Sequence, residues 1–125
     1  MIKTVSTTNA PAAIGPYSQA LTVNGFVFCS GQIGIDIKTG NLADGIENQI
    51  KNVMNNLKEV LRAAGSDFDH VVKTTVFLKN MADYAVFNQI YGEYFKANKP
   101  ARATVEVARL PKDCLVEIEA IAVVK

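Results

Sequence analysis

The amino-acid sequence predicts an α+β fold, in which a single mixed β-sheet carries two helices on one face. An Asn-Gly pair between two short apolar runs predicts a β-hairpin early in the chain. Two later segments space their apolar residues three and four positions apart, as amphipathic helices do. Runs rich in β-branched residues complete the order β-β-α-β-α-β-β. The composition is even along all 125 residues, so we expect a single domain spanning 1–125.

The chain opens with a loop and the hairpin. Two prolines and a glycine fall within residues 10–17, which favours an ordered loop over a helix or strand. Leu21–Val23 and Phe26–Ser30 are the expected hairpin strands, because Asn24 and Gly25 form a typical two-residue turn between them.

The first helix has the strongest periodic pattern in the sequence. Its apolar stripe consists of Ile46, Ile50, Val53, Met54, Leu57, Val60, Leu61 and Ala64. Charged and amide side chains fill the opposite face. Asp44 marks the expected start of this helix, and Gly65 marks its expected end.

The second half of the chain contains one more helix and three strands. Val71–Leu78 is rich in β-branched residues and predicts a strand. A helix is expected over Ala82–Ala97, with an apolar stripe of Tyr84, Phe87, Tyr91, Tyr94 and Phe95. Arg102–Arg109 and Leu115–Val124 are the last two strands, joined by a short turn.

The last strand predicts an oligomer, because it is apolar on both faces. Val116, Ile118 and Ala120 point one way, and Ile121 and Val123 point the other. Two helices can cover one face of the sheet, and an uncovered apolar face needs a partner.

Composition argues against several classes of function. Thirteen Lys and Arg against 12 Asp and Glu leave a net charge of +1, with no electrostatic signature for nucleic acid or an anionic membrane. Cys29, Cys114 and the single histidine, His70, have no metal-ligand spacing, so we expect no metal site. We expect both cysteines to be buried or half-buried thiols in a reducing compartment. No signal peptide or bilayer-length apolar run is visible, so we expect a cytoplasmic protein.

Without a set of histidines and cysteines, the remaining means of catalysis are carboxylates, arginines, backbone dipoles and water. Arg102 shares a strand face with Thr104, and its planar guanidinium is either a surface charge or an anchor for a carboxylate. Glu117 and Glu119 share one face of an apolar strand, where either is a solvated charge or a carboxylate whose pKa burial raises for acid–base work. The pattern alone does not choose between these two glutamates.

Four further residues have both a structural and a functional interpretation. Tyr17 lies in the Pro/Gly loop, where a tyrosine usually packs, and Ser30-Gly31 usually forms a turn. Asn88 lies within the aromatic stripe of the second helix, and its amide needs hydrogen-bond partners if it is buried.

Five stretches together resemble the RidA/YjgF family, in order along essentially the whole chain. Ala13–Gln19 resembles the family's N-terminal loop, and Cys29–Ile33 its Ser-Gly-Gln strand end. Val72–Phe77 resembles its middle strand. Pro100–Asp113 resembles its signature, and Val116–Ala122 its last strand.

The resemblance implies a chorismate-mutase-like α+β fold and a homotrimer with active sites in clefts between subunits. It implies hydrolysis of reactive 2-imino acids, namely 2-iminobutanoate and 2-iminopropanoate, to 2-keto acids and ammonia. This activity protects pyridoxal-phosphate enzymes from damage. It implies no metal and no organic cofactor, because a protonated imine is already a good electrophile.

The resemblance also assigns roles by position. Arg102 falls on the family's carboxylate-binding arginine and Glu117 on its water-activating glutamate. The pocket-lining positions fall on Tyr17, Ser30, Gly31 and Asn88. Many members carry Ser-Cys after the arginine, where this chain has Ala103-Thr104. Thr104 would then bind substrate through its backbone, and an activity that depends on a thiol there is not expected.

Three other functions stay open at this point. The same arginine would serve a non-catalytic regulator that binds small carboxylates or keto acids. Some relatives have been described as RNA-acting translation inhibitors, although the near-neutral charge argues against that role. A pericyclic enzyme of the chorismate-mutase type shares the fold, but fold alone does not carry function.

Overall fold

A computed structural model describes residues 1–125 as one six-stranded sheet with two helices. The elements are β1 (Lys3–Val5), β2 (Ala20–Val23), β3 (Phe26–Ile33), α1 (Ile46–Ala63), β4 (Val71–Leu78), α2 (Tyr84–Tyr94), β5 (Ala101–Glu106) and β6 (Val116–Val123). The strands lie in the order β1-β2-β3-β6-β4-β5. The β4–β5 pair is parallel and the other pairs are antiparallel, so the predicted mixed α+β sheet with two helices is confirmed.

The hairpin forms where the Asn-Gly pair predicts it. Val23 pairs with Phe26, and the two residues between them have positive φ angles of 50° at Asn24 and 81° at Gly25. Left-handed geometry at both turn positions matches the right-handed twist of the strands, and glycine and asparagine tolerate it best.

One strand was absent from the predicted order. Lys3–Val5 forms β1, which pairs antiparallel with β2 and makes the observed order β-β-β-α-β-α-β-β. Three residues are too few to display the alternation by which a strand is identified from sequence.

Helix α1 matches its prediction closely. The buried side chains of its stripe face the sheet, and the helix ends where Gly65 adopts a φ of 79°. The N–H of Ser66 then donates to the Leu61 carbonyl at 2.9 Å, which satisfies a carbonyl left free at the end of the helix. The residue before the first turn is Gly45 rather than the expected Asp44.

Helix α2 is shorter than predicted, and its stripe differs from the prediction. Residues Met81–Asp83 form a separate 3₁₀ turn, and Phe95 already has a non-helical backbone. Phe87 and Tyr91 are buried as expected. Membership of the apolar stripe predicts that Tyr84 is a core residue, and this is wrong, because 39% of the residue is exposed.

The two faces of the sheet have different surroundings. One face packs against both helices in a single core that includes Val116 and Ile118 of β6. The other face has no covering layer in one chain, and it leaves Phe26 and Phe28 more than 40% exposed. Ile121 and Val123 of β6 lie on this second face. The oligomer that these uncovered apolar side chains predict stays a prediction. Neither helix combines the length and apolar character needed to cross a membrane.

Candidate active site

A cavity of about 650 Å³ opens beside the first residues of β6. Its lining includes Tyr17, Ser30, Gly31 and Glu117, four of the residues singled out in the sequence. Lys112 lines it as well, from the turn before β6. Residues from three distant parts of the sequence therefore meet around one carboxylate.

A β-bulge positions the Glu117 carboxylate in this cavity. The β3–β6 register shifts between Cys29 and Gln32, so Ser30 and Gly31 lie opposite β6 without regular pairing. A Cβ atom on residue 31 would overlap the carboxyl group of Glu117. Glycine is therefore required at position 31 for the carboxylate to lie against the backbone of β3.

A buried amide outside the predicted set of site residues, that of Gln19, fixes the N-terminal loop to this bulge. Gln19 accepts from the Thr7 N–H at 2.7 Å and donates to the Pro11 carbonyl at 2.8 Å. The Ser30 hydroxyl donates to the Ser18 carbonyl at 2.5 Å, and the Ser30 N–H donates to the Gln19 carbonyl at 3.0 Å. No periodic pattern marks Gln19, because its partners are backbone groups of an irregular loop.

Glu117 is a half-buried carboxylate on the uncovered face of the sheet. Burial raises its pKa, and the negative charge of Glu119 two residues along raises it further. No protein hydrogen bond to the carboxylate opposes these two effects. The group is therefore available to accept a proton from a molecule inside the cavity.

Arg102 lies on the other face of the sheet, packed against α2. Its guanidinium carbon is 4.9 Å from the ring centre of Tyr91, 5.5 Å from that of Phe87 and 5.6 Å from that of Tyr84. Its Nη2 donates to the Tyr84 hydroxyl at 2.8 Å. Arg102 takes part in none of the four salt bridges of the chain. Three aromatic rings thus hold a cation that has no anionic partner.

The Tyr91 ring beneath Arg102 is itself fixed. Its hydroxyl hydrogen-bonds with the Thr74 hydroxyl at 2.8 Å, and Thr74 lies opposite Arg102 in the β4–β5 pair. Burial raises the pKa of Tyr91, which keeps its hydroxyl neutral at physiological pH. The guanidinium therefore rests on a ring that cannot easily rotate away.

A second cleft, of about 440 Å³, lies beside Arg102. Asn88 and Lys99 line it together with Tyr91. Asn88 is exposed, so its amide is free to meet a ligand and is not a core amide. Thr104, two residues beyond Arg102 on the same face, has a buried hydroxyl without a hydrogen-bond partner.

The two groups of candidate residues are separated within one chain. Arg102 lies opposite the buried Thr74, whereas Glu117 lies opposite Phe77, whose side chain points to the other face. Strand β4 lies between them, so their strands are about 10 Å apart in the plane of the sheet. A single copy of the chain does not bring the arginine and the glutamate into one site.

The other reactive side chains do not form a site. Burial raises the pKa of Cys29 to about 12, and it also raises the pKa of Cys114. Neither thiol forms a disulfide, and both are too well buried to react as thiolates. No three His, Cys, Asp or Glu side chains come together as ligands for a metal ion.

Comparison with known proteins finds similar sequences along almost the whole chain. The family model described as Endoribonuclease L-PSP matches residues 7–124. A mouse protein named 2-iminobutanoate/2-iminopropanoate deaminase is 52% identical over 122 residues, covering 97% of this chain and 90% of the relative. A Lactococcus lactis protein named as a regulator, AldR, is 50% identical over 125 residues and 99% of each chain.

The solved structures agree with this result. A Yersinia pestis protein, described as a member of the conserved Rid protein family, superposes with a TM-score of 0.97. It is 49% identical, and the match covers 99% of this chain and 100% of that one.

Proposed function

The chain belongs to the RidA/YjgF family, and on that premise we propose that it hydrolyses reactive 2-imino acids to 2-keto acids and ammonia. The substrates are 2-iminobutanoate and 2-iminopropanoate, the compounds in the name of the mouse relative. Removing these electrophiles protects pyridoxal-phosphate enzymes.

The observation that carries this proposal is the unpaired, immobilised guanidinium of Arg102. A planar guanidinium binds a carboxylate through two parallel hydrogen bonds, and every 2-imino acid has a carboxylate next to its C=N carbon. Because three rings and one hydroxyl already orient Arg102, little rotamer entropy is lost on binding. The imine carbon is then held at a fixed position relative to the arginine.

The separation of Arg102 from Glu117 supports an active site shared between two copies. In this proposal three chains assemble around their uncovered sheet faces, with the exposed Phe26 and Phe28 in the interface. Because Arg102 lies on the edge strand β5, its cleft in one subunit then faces the Glu117 cavity of the next subunit. A head-to-tail contact of this kind closes into a ring when the rotation is threefold.

Glu117 activates a water molecule for attack on the imine carbon. Its carboxylate removes a proton while the water oxygen bonds to C2 of the iminium, giving a carbinolamine. The protonated Glu117 returns that proton to the amine nitrogen. As the C–N bond breaks, the hydroxyl proton passes to Glu117, C=O forms, and ammonia leaves. Ammonia finally takes the proton from Glu117 as ammonium, which restores the carboxylate.

The remaining residues shape the pocket in this mechanism. Tyr17, Ser30 and Gly31 form the wall beside Glu117, and Asn88 and Thr104 lie near the bound carboxylate. The two free, buried cysteines support a reducing compartment, and we propose the cytosol.

A coupled assay tests the proposed reaction. Threonine dehydratase releases 2-iminobutanoate, which hydrolyses slowly by itself, and semicarbazide traps the imine that remains. Adding the purified protein should speed the appearance of 2-oxobutanoate and reduce the trapped imine. Equal amounts of trapped imine with and without the protein would refute the proposal.

A second candidate is a regulator that binds keto acids without turnover. The relative named AldR favours it, and an unpaired arginine beside a cleft would serve binding alone. Calorimetry that detects 2-oxobutanoate binding, together with no acceleration in the coupled assay, would select this function.

An RNA-directed activity is a weaker candidate, suggested by the description of the family model. The net charge of +1 gives little electrostatic attraction for a polyanion. RNA cleavage that survives stringent purification and disappears in Arg102→Ala would favour it over imine hydrolysis.

A further inference from the structure

The Tyr84 hydroxyl has a hydrogen that no protein group accepts. Its oxygen receives the hydrogen bond from Arg102 Nη2 at 2.8 Å, and this is the hydroxyl's sole hydrogen bond within the chain. A guanidinium has five donors and no acceptor, so Arg102 cannot accept the phenolic proton in return. The tyrosine therefore presents a free O–H donor directly beside the free N–H donors of the arginine.

The placement of Tyr84 is also unusual for an aromatic residue of an amphipathic helix. It belongs to the sequence stripe that includes Phe87 and Tyr91, yet it is 39% exposed while those two are buried. Its ring lies 5.6 Å from the guanidinium carbon, at the margin of the aromatic surface under Arg102. The hydroxyl therefore lies where the cation meets solvent, within reach of an anion that the cation binds.

We propose that Tyr84 is a second anion-binding residue, whose hydroxyl donates to the substrate carboxylate that Arg102 holds. This inference rests on the proposed function, because it identifies the anion as the carboxylate of a 2-imino acid or a 2-keto acid. The carboxylate receives N–H bonds from the guanidinium and an O–H bond from the phenol. The two oxygens of a carboxylate offer about four lone-pair sites, so the phenol and the arginine do not compete for the same site.

The test is the substitution Tyr84→Phe, which keeps the ring against Arg102 and removes only the hydroxyl. The matched control is Tyr94→Phe, which removes a hydroxyl from the same helix, where the ring packs edge-on against Phe68 away from Arg102. Titration calorimetry with 2-oxobutanoate measures binding of a stable carboxylate. Initial rates at low and saturating imine separate KM from kcat.

Loss of the hydroxyl should weaken 2-oxobutanoate binding about five- to tenfold and raise KM by a similar factor, with kcat within about twofold of wild type. Tyr94→Phe should bind like the wild type. A purely structural role would instead lower the melting temperature and change kcat together with KM. A wild-type dissociation constant in Tyr84→Phe would overturn the inference.

The binding and rate measurements separate this inference from the proposed function. If the wild type does not accelerate imine hydrolysis but binds 2-oxobutanoate, and Tyr84→Phe weakens that binding, the anion-binding role stands and the enzymatic proposal falls. If the wild type hydrolyses the imine and Tyr84→Phe binds 2-oxobutanoate as tightly as the wild type, the enzymatic proposal stands and the anion-binding role of Tyr84 falls. No binding of 2-oxobutanoate by the wild type would overturn the assignment of Tyr84.

Discussion

The two faces of the sheet hold their charged groups in opposite ways. On the helix-covered face, the Arg102 guanidinium lies on aromatic rings and donates to a hydroxyl. On the uncovered face, the Glu117 carboxylate lies against a glycine backbone, and no protein donor stabilises its charge. The first group is oriented by its neighbours, whereas burial raises the pKa of the second.

This difference follows from the chemistry of the two ions. A guanidinium is weakly hydrated and planar, so stacking on aromatic rings orients it while its charge remains. A carboxylate is strongly hydrated, so partial burial without donors makes it a better proton acceptor. In the proposed reaction, the helix-covered face therefore binds the anion and the uncovered face moves the proton.

The largest effect is expected on the proton-transfer side. Glu117→Gln keeps the shape of the side chain but cannot take a proton, so kcat should fall about 10²- to 10⁴-fold with little change in KM. The matched control is Glu119→Gln, on the same strand and the same face but exposed. Comparable losses in both variants would contradict the assignment of Glu117 as the base.

The next largest effect is expected on the binding side. Arg102→Ala removes the carboxylate anchor and should lower kcat/KM about 10²- to 10³-fold, with KM strongly raised. Arg62→Ala, at an exposed arginine of α1, serves as the control because it has only a surface pair with Glu59. Steady-state rates in the coupled assay measure both variants. An unchanged KM in Arg102→Ala would mean that the arginine does not bind substrate.

A pair of glycine substitutions separates activity from stability. Gly31→Ala places a methyl group against the Glu117 carboxylate and should lower kcat about tenfold to a hundredfold by displacing it. Gly34→Ala places a methyl group 2.6 Å from the Gln49 backbone, and should destabilise the fold by about 1–3 kcal/mol. Denaturant unfolding and rate measurements on both variants test the contrast. Full activity in Gly31→Ala would contradict the positioning of the carboxylate by the bulge.

The smallest effect is expected in the pH profile. Glu117 acts as a base only when ionised, so kcat/KM should fall as the pH decreases through its raised pKa. Glu119→Gln removes the neighbouring negative charge and lowers that pKa, so the acid limb should move to lower pH. An acid limb that stays in place in this variant would show that another group controls it.

Local patterns predicted most of the secondary structure. The turn at Asn24-Gly25, the stripe of α1 and the bounds of β4 all follow from short-range rules of turn geometry and periodicity. The missed strand β1 is held by its pairing with β2, and no local pattern reports such a pairing. The end of α2 at Tyr94 was missed because the aromatic spacing continues to Phe95, beyond the last helical residue.

The sequence predicted less of the candidate site than of the secondary structure. Alternation fixed which residues share a face within β5 or within β6, but it could not relate the two strands. The opposite facing of Arg102 and Glu117 depends on the β4–β5 and β4–β6 registers, which are long-range. The surroundings of Tyr84 also depend on its contact with Arg102 on β5, which is why a residue of the apolar stripe is exposed beside a cation.

The measurement that tests the shared site most directly is recovery of activity in mixed assemblies. Arg102→Ala and Glu117→Gln proteins, each nearly inactive, are unfolded, mixed in equal amounts and refolded together. Half of the subunits keep the arginine and half keep the glutamate, so random rings should regain about a quarter of wild-type activity. Refolding each variant alone should recover no activity. A mixture that forms trimers but stays as inactive as its components would contradict a site made by two subunits.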